Sequence, residues 1–172
     1  ECIQQLYRRF SSFYDTNLVD DLDYAVPERL SEAIETVFPQ RTDLTILDLG
    51  CGTGLSGEQL RPRARRLDGI DLSPEMAAAA RKRNLYDNLD VAEITAWLET
   101  ATEKDCDAGS HHYYRIVACD SLIYFGDLAQ VVSPASALLN DGGAIAFSVE
   151  RAQQGPFVLT DSGRYAHHAE HI

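Results

Sequence analysis

Positive charge is the first thing this 172-residue chain has little of: 15 Lys and Arg stand against 27 Asp and Glu, a formal net charge of −12. Affinity for nucleic acid rests largely on Lys and Arg neutralising the phosphate backbone, so nucleic acid is not an expected partner. An anionic membrane surface is disfavoured on the same electrostatic ground. The arginines at 61, 63, 65 and 66 do cluster, and they read as a solvated helix end and turn. No stretch approaches the ~18 apolar residues that a membrane span needs, and no leader pattern opens the chain. Cysteine is sparse and without paired spacing: Cys2, Cys51, Cys106 and Cys119 read as free thiols in a reducing compartment, with a cytoplasmic protein as the expectation. Internal repeats and low-complexity runs are absent, so residues 1–172 are expected to form one domain without a linker. The chain opens on Glu1 without a Met and reads as a piece of a longer one. Nothing in it speaks to oligomeric state.

What is present is an ordinary globular composition, 45% hydrophobic and 24% charged, organised around one stretch. Ile46-Leu-Asp-Leu-Gly-Cys-Gly-Thr-Gly54 carries an apolar run into a loop with glycine at every second position, and a helix-like stretch follows from Leu55. Glycines so placed let a ligand lie against bare main chain, at a helix start whose free N–H groups await an acceptor. Two registers are open. Gly52-Thr-Gly54-Leu-Ser-Gly57 fits the dinucleotide fingerprint GxGxxG and would make a nicotinamide-dependent oxidoreductase. Gly50-Cys-Gly52-Thr-Gly54 behind Asp48 fits a loop for S-adenosylmethionine (SAM). A carboxylate two residues before the first glycine would repel a pyrophosphate, but it suits a ligand carrying an ammonium and a sulfonium.

Around the loop, strands and helices alternate. Residues 3–40 read as helical, with Pro27 near the first turn of an amphipathic stretch. Strand 67–70 ends in Asp71, close to the roughly 20-residue spacing at which a carboxylate grips ribose hydroxyls; a surface Asp capping the next helix is the other reading. Ser73 and Pro74 mark that helix start. Strand 89–92 ends at Glu93, which also reads as a helix-starting acid, and Asp90 rivals it for the acidic position. Residues 99–112 are polar and read as a loop, with His111 and His112 facing solvent. Strand 115–118 ends at Asp120 and Ser121, beside the switch point where doubly wound sheets bind ligands. Asp127 is expected to start a helix that Pro134 kinks or restarts and that Asn140-Asp-Gly-Gly143 stops, before strand 144–149. The tail from 151 to 172 reads as irregular, with 157–159 a possible sixth strand. Its His167-His-Ala-Glu-His171 cluster is weighed as metal ligands, but such a site usually needs more separated, converging groups, so no metal is expected. The sum is an α/β, Rossmann-like, doubly wound and largely parallel sheet with helices on both faces.

Asp48-Leu-Gly-Cys-Gly-Thr-Gly54 and Leu67-Asp-Gly-Ile-Asp71-Leu-Ser-Pro-Glu-Met76 resemble the first two motifs of class I SAM-dependent methyltransferases. Asn84-Leu-Tyr-Asp-Asn-Leu, Ala118-Cys-Asp120-Ser-Leu-Ile-Tyr-Phe-Gly-Asp127 and Ser162-Gly-Arg-Tyr-Ala-His167 extend the resemblance to a subgroup of methyltransferases associated with tetratricopeptide-repeat proteins. The resemblance implies a helical lid (1–43), a cofactor-binding core (44–150) and a partial substrate-side segment (151–172), with further strands in a complete member. It implies SAM as cofactor and S-adenosylhomocysteine (SAH) as product, held by Asp48, Gly50, Cys51, Gly52, Gly54, Leu55, Asp71, Leu72, Met76, Asp120 and Ser121. By the same resemblance Glu93 and Ile94 would meet the adenine, Tyr14 and Tyr24 would reach in from the lid, and Arg164, Tyr165 and His167 would belong to the substrate side. Asp120, Tyr124 and His167 are the candidates for a base or an orienting group. The acceptor is expected to be a small molecule or a protein; a non-catalytic SAM-binding or scaffold subunit is the alternative.

Overall fold

The computed structural model describes residues 24–38, 41–108 and 113–172. The expected lid residues 1–23, Tyr14 among them, and His111 and His112 lie outside the described residues. In chain order the elements are α1 (Val26–Val37), β1 (Leu44–Leu49), α2 (Leu55–Leu60), β2 (Ala64–Asp71), α3 (Pro74–Lys82), β3 (Asn88–Val91), α4 (Ile94–Ala108), β4 (Tyr113–Ala118), α5 (Ala129–Ala137) and β5 (Leu139–Phe147). Three short strands follow: β6 (Glu150–Arg151), β7 (Phe157–Leu159) and β8 (Tyr165–His167). The first five strands form one parallel sheet in the order β3-β2-β1-β4-β5.

β1 lies at the centre, and all six of its residues are buried because helices cover both faces. Leu44 and Ile46 turn to one face with Leu67 and Val117, under Leu30 and Ile34 of α1 and Leu60 of α2. Leu47 and Leu49 turn to the other with Ile70, Ile116 and Ala118, against Leu98 of α4 and Val131 and Ala135 of α5. The period-two alternation of a strand thus divides one apolar run between two cores.

Several boundaries differ from expectation, each for a physical reason. α4 continues to Ala108 rather than yielding to a loop after residue 98; no Gly or Pro interrupts it, Ala101 packs on the core, and the polar residues read as loop include its solvent face. β2 begins at Ala64, so Arg65 and Arg66 lie in the strand, not in a turn. α5 runs through Pro134 without a break, because Val131 and Ala135 are fully buried and packing outweighs the lost amide. Asp127 lies ahead of α5, its Oδ1 accepting the Ala129 N–H at 2.9 Å. Asn140–Gly143 belongs to β5 as an irregularity, where pairing jumps from Tyr113–Leu139 to Arg115–Ala144 and Gly142 takes φ 72°. The tail forms its own sheet, order β6-β8-β7, and 157–159 is a strand of that sheet, not a sixth member of the main one.

Two buried charges contrast. Asp68 on β2 accepts from Tyr113 Oη at 2.8 Å, Asn88 Nδ2 at 2.7 Å and Arg66 Nε at 3.1 Å, a carboxylate with its lone pairs filled. Arg115 on β4 is 1% exposed and lies 3.9 Å over the Phe38 ring; Nη1 donates to Tyr114 O, while Nε and Nη2 have no hydrogen-bond partner among the described residues. Burial, with Arg41 nearby, pushes its pKa down. Removing a well-partnered buried charge costs several kcal/mol, whereas replacing one with most of its donors unmet among the described residues by an apolar side chain does not. Asp68→Ala is therefore expected to lose about 3 kcal/mol and Arg115→Met to be neutral or stabilising, as read from urea midpoints; the reverse order would refute this assignment.

Candidate functional site

Parallel strands all end on the same edge, so the exits of β1, β2 and β4 converge. β1 leaves through Gly50 at φ 75°, where a Cβ would stand 2.5 Å from the Cβ of Ser121; only glycine lets the loop pass beneath the exit of β4. Neighbouring elements hold the loop. The Gly50 and Cys51 N–H groups both donate to Ile70 O at 2.9 Å, and Ser121 Oγ donates to Leu49 O at 2.7 Å. The Gly52 N–H donates to Asp71 Oδ2 at 2.8 Å, while Asp71 Oδ1 accepts the Ser73 N–H at 2.8 Å. Burial raises the Asp71 pKa, and these two amides counter it. Ser73 Oγ in turn accepts the Met76 N–H and caps α3.

Over the loop lies a cavity of about 300 Å³, at the lower end of the usual ligand range. Of the residues expected at the cofactor, Gly50, Cys51, Gly52, Leu55, Asp71, Leu72, Met76, Glu93, Ile94, Asp120, Ser121 and Tyr24 line it, as does Tyr124. Pro27, Thr53, Ser56, Ser73, Cys119 and Phe125 line it as well, without having been singled out. Glu93 also starts α4: its Oε2 accepts the Ala96 N–H at 2.9 Å. Burial pushes the Glu93 carboxyl up, but hydrogen bonds from the Thr95 hydroxyl and the first amides of α4 outweigh it and lower the pKa. Asp90, its rival, is off the cavity and accepts from Trp97 Nε1 at 2.8 Å. Cys51 and Cys119 are free, and burial pushes both thiols up, which keeps them protonated and unreactive.

Five of the expected residues are not in the lining. Gly54 faces away, toward the Arg83, Tyr86 and Ala80 side of α3. His167 is buried on β8, with Nε2 2.9 Å from Phe125 O. Asp48 is fully buried under the loop, where Oδ2 accepts from Ser56 Oγ at 2.5 Å and Tyr86 Oη at 2.7 Å and Oδ1 has no partner among the described residues. Of the tail pair, Arg164 forms an exposed ion pair with Glu150, and the Tyr165 ring would be 3.1 Å from a Cβ on Gly126. Among the described residues no group of three His, Cys, Asp or Glu is arranged to hold a metal.

Ser148, just past β5, carried no sequence signal. Asp120 takes φ 51°, strained for a non-glycine residue. Its N–H donates to Ser148 Oγ at 2.8 Å, and that hydroxyl donates back to Asp120 Oδ1 at 2.8 Å. One serine thus fixes both the backbone and the carboxylate of Asp120 at the cavity wall. Such reciprocity becomes visible only once β4 and β5 lie side by side.

Burial pushes the Asp48 carboxyl from 3.8 to about 6, with Ser56 and Tyr86 opposing the rise and Asp71 adding to it. A raised folded pKa means that stability is fully present below about pH 4 and is lost as pH climbs through 6. Between pH 4.5 and 7 the native protein should lose about 2 kcal/mol relative to Asp48→Asn in urea melts; parallel pH profiles would exclude Asp48 as the titrating group.

A family profile described as "Methyltransferase domain" matches residues 46–143, from β1 into β5. Malonyl-acyl-carrier-protein O-methyltransferase of Pectobacterium atrosepticum is 29% identical over 150 residues, 86% of this chain and 53% of that protein. Ubiquinone biosynthesis O-methyltransferase of Serratia proteamaculans is 28% identical over 106 residues, 62% of this chain and 42% of that protein. The chain spans about half the length of these curated relatives. Among solved structures, a SAM-dependent methyltransferase of Clostridium acetobutylicum superposes with TM-score 0.61 at 28% identity, over 85% of this chain and 58% of that one. The DhpI–SAH complex superposes with TM-score 0.66 at 21% identity, over 95% and 76%, a likeness of fold. With more than half of the chain matched and a glycine loop, Asp71 and Glu93 around one cavity, the chain belongs to the methyltransferase-domain family of class I SAM-dependent methyltransferases.

Proposed function

We propose that the chain moves the methyl group of SAM to a small-molecule or protein acceptor and releases SAH. One observation carries this reading: the cavity over bare glycine backbone is lined by Asp71, Glu93 and Asp120 and by no Lys, Arg or His among the described residues. Such a lining suits a ligand with an ammonium and a sulfonium and would repel a pyrophosphate, which favours the SAM register of the loop over the nicotinamide one. In this reading Asp71 receives the ribose hydroxyls with lone pairs that Gly52 and Ser73 leave free, and Glu93 with the Ile94 amide meets the adenine. Gly50, Cys51, Gly52, Leu55, Leu72, Met76 and Ser121 form the bed, with Gly54 and buried Asp48 shaping it from behind.

The sulfonium of the bound cofactor makes the methyl group electrophilic, so the chain's part is to bind, to orient and to exclude water. Asp120 and Tyr124, on the wall after β4, are proposed to orient the acceptor nucleophile and, where it arrives protonated, to take its proton. Tyr24, just ahead of α1, would close the cavity from the lid, with Tyr14 as its proposed companion. We also propose the finer reading in the tetratricopeptide-associated subgroup, one domain over 1–172, and a cytoplasmic site. Free Cys51 and Cys119 support that location, and no helix among the described residues is long and apolar enough to cross a membrane.

Calorimetric titration of the purified chain with SAM, SAH and, as control, NADH tests the assignment. Saturable binding of the first two and none of NADH is expected. Asp71→Ala removes a charge-assisted acceptor and frees the Gly52 amide, so SAM should bind about a hundredfold more weakly while circular dichroism stays native. An unchanged affinity would remove Asp71 from the site, and binding without transfer to any offered acceptor would mark a non-catalytic subunit.

A further inference from the structure

The wall that carries Asp120, Tyr124 and Phe125 is a short irregular passage, residues 120–126, with one turn of 3₁₀ helix at Leu122–Tyr124. Of its own backbone hydrogen bonds, the Tyr124 N–H reaches Ser121 O only at 3.5 Å, while the Phe125 N–H reaches Leu122 O at an ordinary 3.0 Å. Buried Leu122 and Ile123 anchor its middle, and side chains from elsewhere in the chain hold its two ends. At its start that is Ser148, as described above. At its end it is His167: Nε2 lies 2.9 Å from Phe125 O and 3.1 Å from Gly126 O, and the side chain is 3% exposed.

Carbonyl oxygens only accept, so Nε2 must carry the proton and donate to both. Nδ1 has no hydrogen-bond partner among the described residues. The ring is not in the cavity lining but bonds the carbonyl of Phe125, which is, so it acts on the cavity through that residue. Its backbone is fixed on both sides: β8 pairs with β6 through Arg151 and with β7 through Phe157. Around it the small sheet closes on Gly126, where a Cβ would stand 2.9 Å from the Phe157 ring and 3.1 Å from the Tyr165 ring. Those two rings meet edge-on at 5.8 Å, and the Phe157 ring lies 6.2 Å from that of His167.

We propose that His167 is a positioning residue of the acceptor side: as the Nε2–H tautomer it pins the carbonyls of Phe125 and Gly126, and through it the β6-β8-β7 sheet sets the wall that the acceptor meets. The assignment rests on the reading of the cavity as a methyl-transfer site. It gives the two halves of that site different supports: His167 holds Phe125 and Gly126, whereas Asp71 holds the Gly52 and Ser73 amides and Glu93 the start of α4. Changes in the tail should therefore alter acceptor handling and leave cofactor affinity alone.

Hydrogen exchange followed by mass spectrometry, on the full chain with His167→Leu and His167→Gln, reads the pin directly. Gln keeps an N–H donor at similar reach; Leu keeps bulk and loses the donor. In His167→Leu, exchange of the amides at 122–126 should rise at least tenfold while β1 and β2 keep native protection and SAH affinity stays within about threefold. In His167→Gln the segment should stay within about threefold of native. Unchanged exchange in the Leu variant, or an equal rise across β1, β2 and β4, would overturn the proposal. Should neither variant fold, nitrogen NMR of the native protein decides it: a proton on Nε2 is required, and a proton on Nδ1 alone overturns it. Failure of the native protein to bind SAH would count against the methyl-transfer reading and would leave the exchange result for the pin intact.

Discussion

The close passage of Gly50 beneath Ser121 is the constraint on which the rest of the site depends. β1 and β4 are neighbours in a parallel sheet, so their exits compete for the same space, and the chain resolves the conflict by removing one side chain. The Ser121 hydroxyl then reaches Leu49 O, and the Gly50 and Cys51 amides are left to bond Ile70 O on the other side. The loop keeps one turn hydrogen bond of its own, from the Gly54 N–H to Cys51 O at 2.9 Å, and is otherwise held by β2 and the exit of β4. Its upper surface is thereby left as bare backbone, which is what a flat, polar ligand can lie against.

Electrostatics follow from the same geometry. Asp71 sits where β2 ends and spends one bond on each of two amides, so its charge is tethered without being neutralised by a cation. Asp120 is tethered by Ser148 in the same way. Arg61, by contrast, bonds to a carboxylate and carbonyls off the cavity, and Arg83 pairs with Glu58 and holds Thr53 O from behind the glycine loop; neither guanidinium is in the lining. The result is a cavity negative by placement, not by an excess of acids alone. Asp48, the carboxylate that made the loop recognisable, contributes from beneath: it orders Ser56 and Tyr86, and its own burial raises its pKa.

Much of this was legible in the order of residues. The 44–49 run, the alternating glycines, Asp71 at a strand end and Ser73-Pro74 at a helix start each report a local rule, and each is found where that rule puts it. What failed was local polarity used as a proxy for loop. Glu99, Thr100 and Glu103 are polar because one face of α4 meets water, and Pro134 does not break α5 because buried Val131 and Ala135 hold the helix together. Ser148, Tyr86 and Ser56 were invisible as site-shaping residues, since a serine or tyrosine acquires a role only through the partner folded against it.

The sequence by itself determined the parallel α/β plan and the chemistry of the loop, because strand period, glycine freedom and helix capping act over a few residues. The tertiary structure decided which carboxylates face the cavity, that Asp48 lies beneath it, and that the tail forms a separate sheet with His167 as its pin. Those outcomes depend on contacts between residues 28 to 72 positions apart, such as Ser148 with Asp120, Tyr86 with Asp48 and Ser121 with Leu49, which no local pattern encodes.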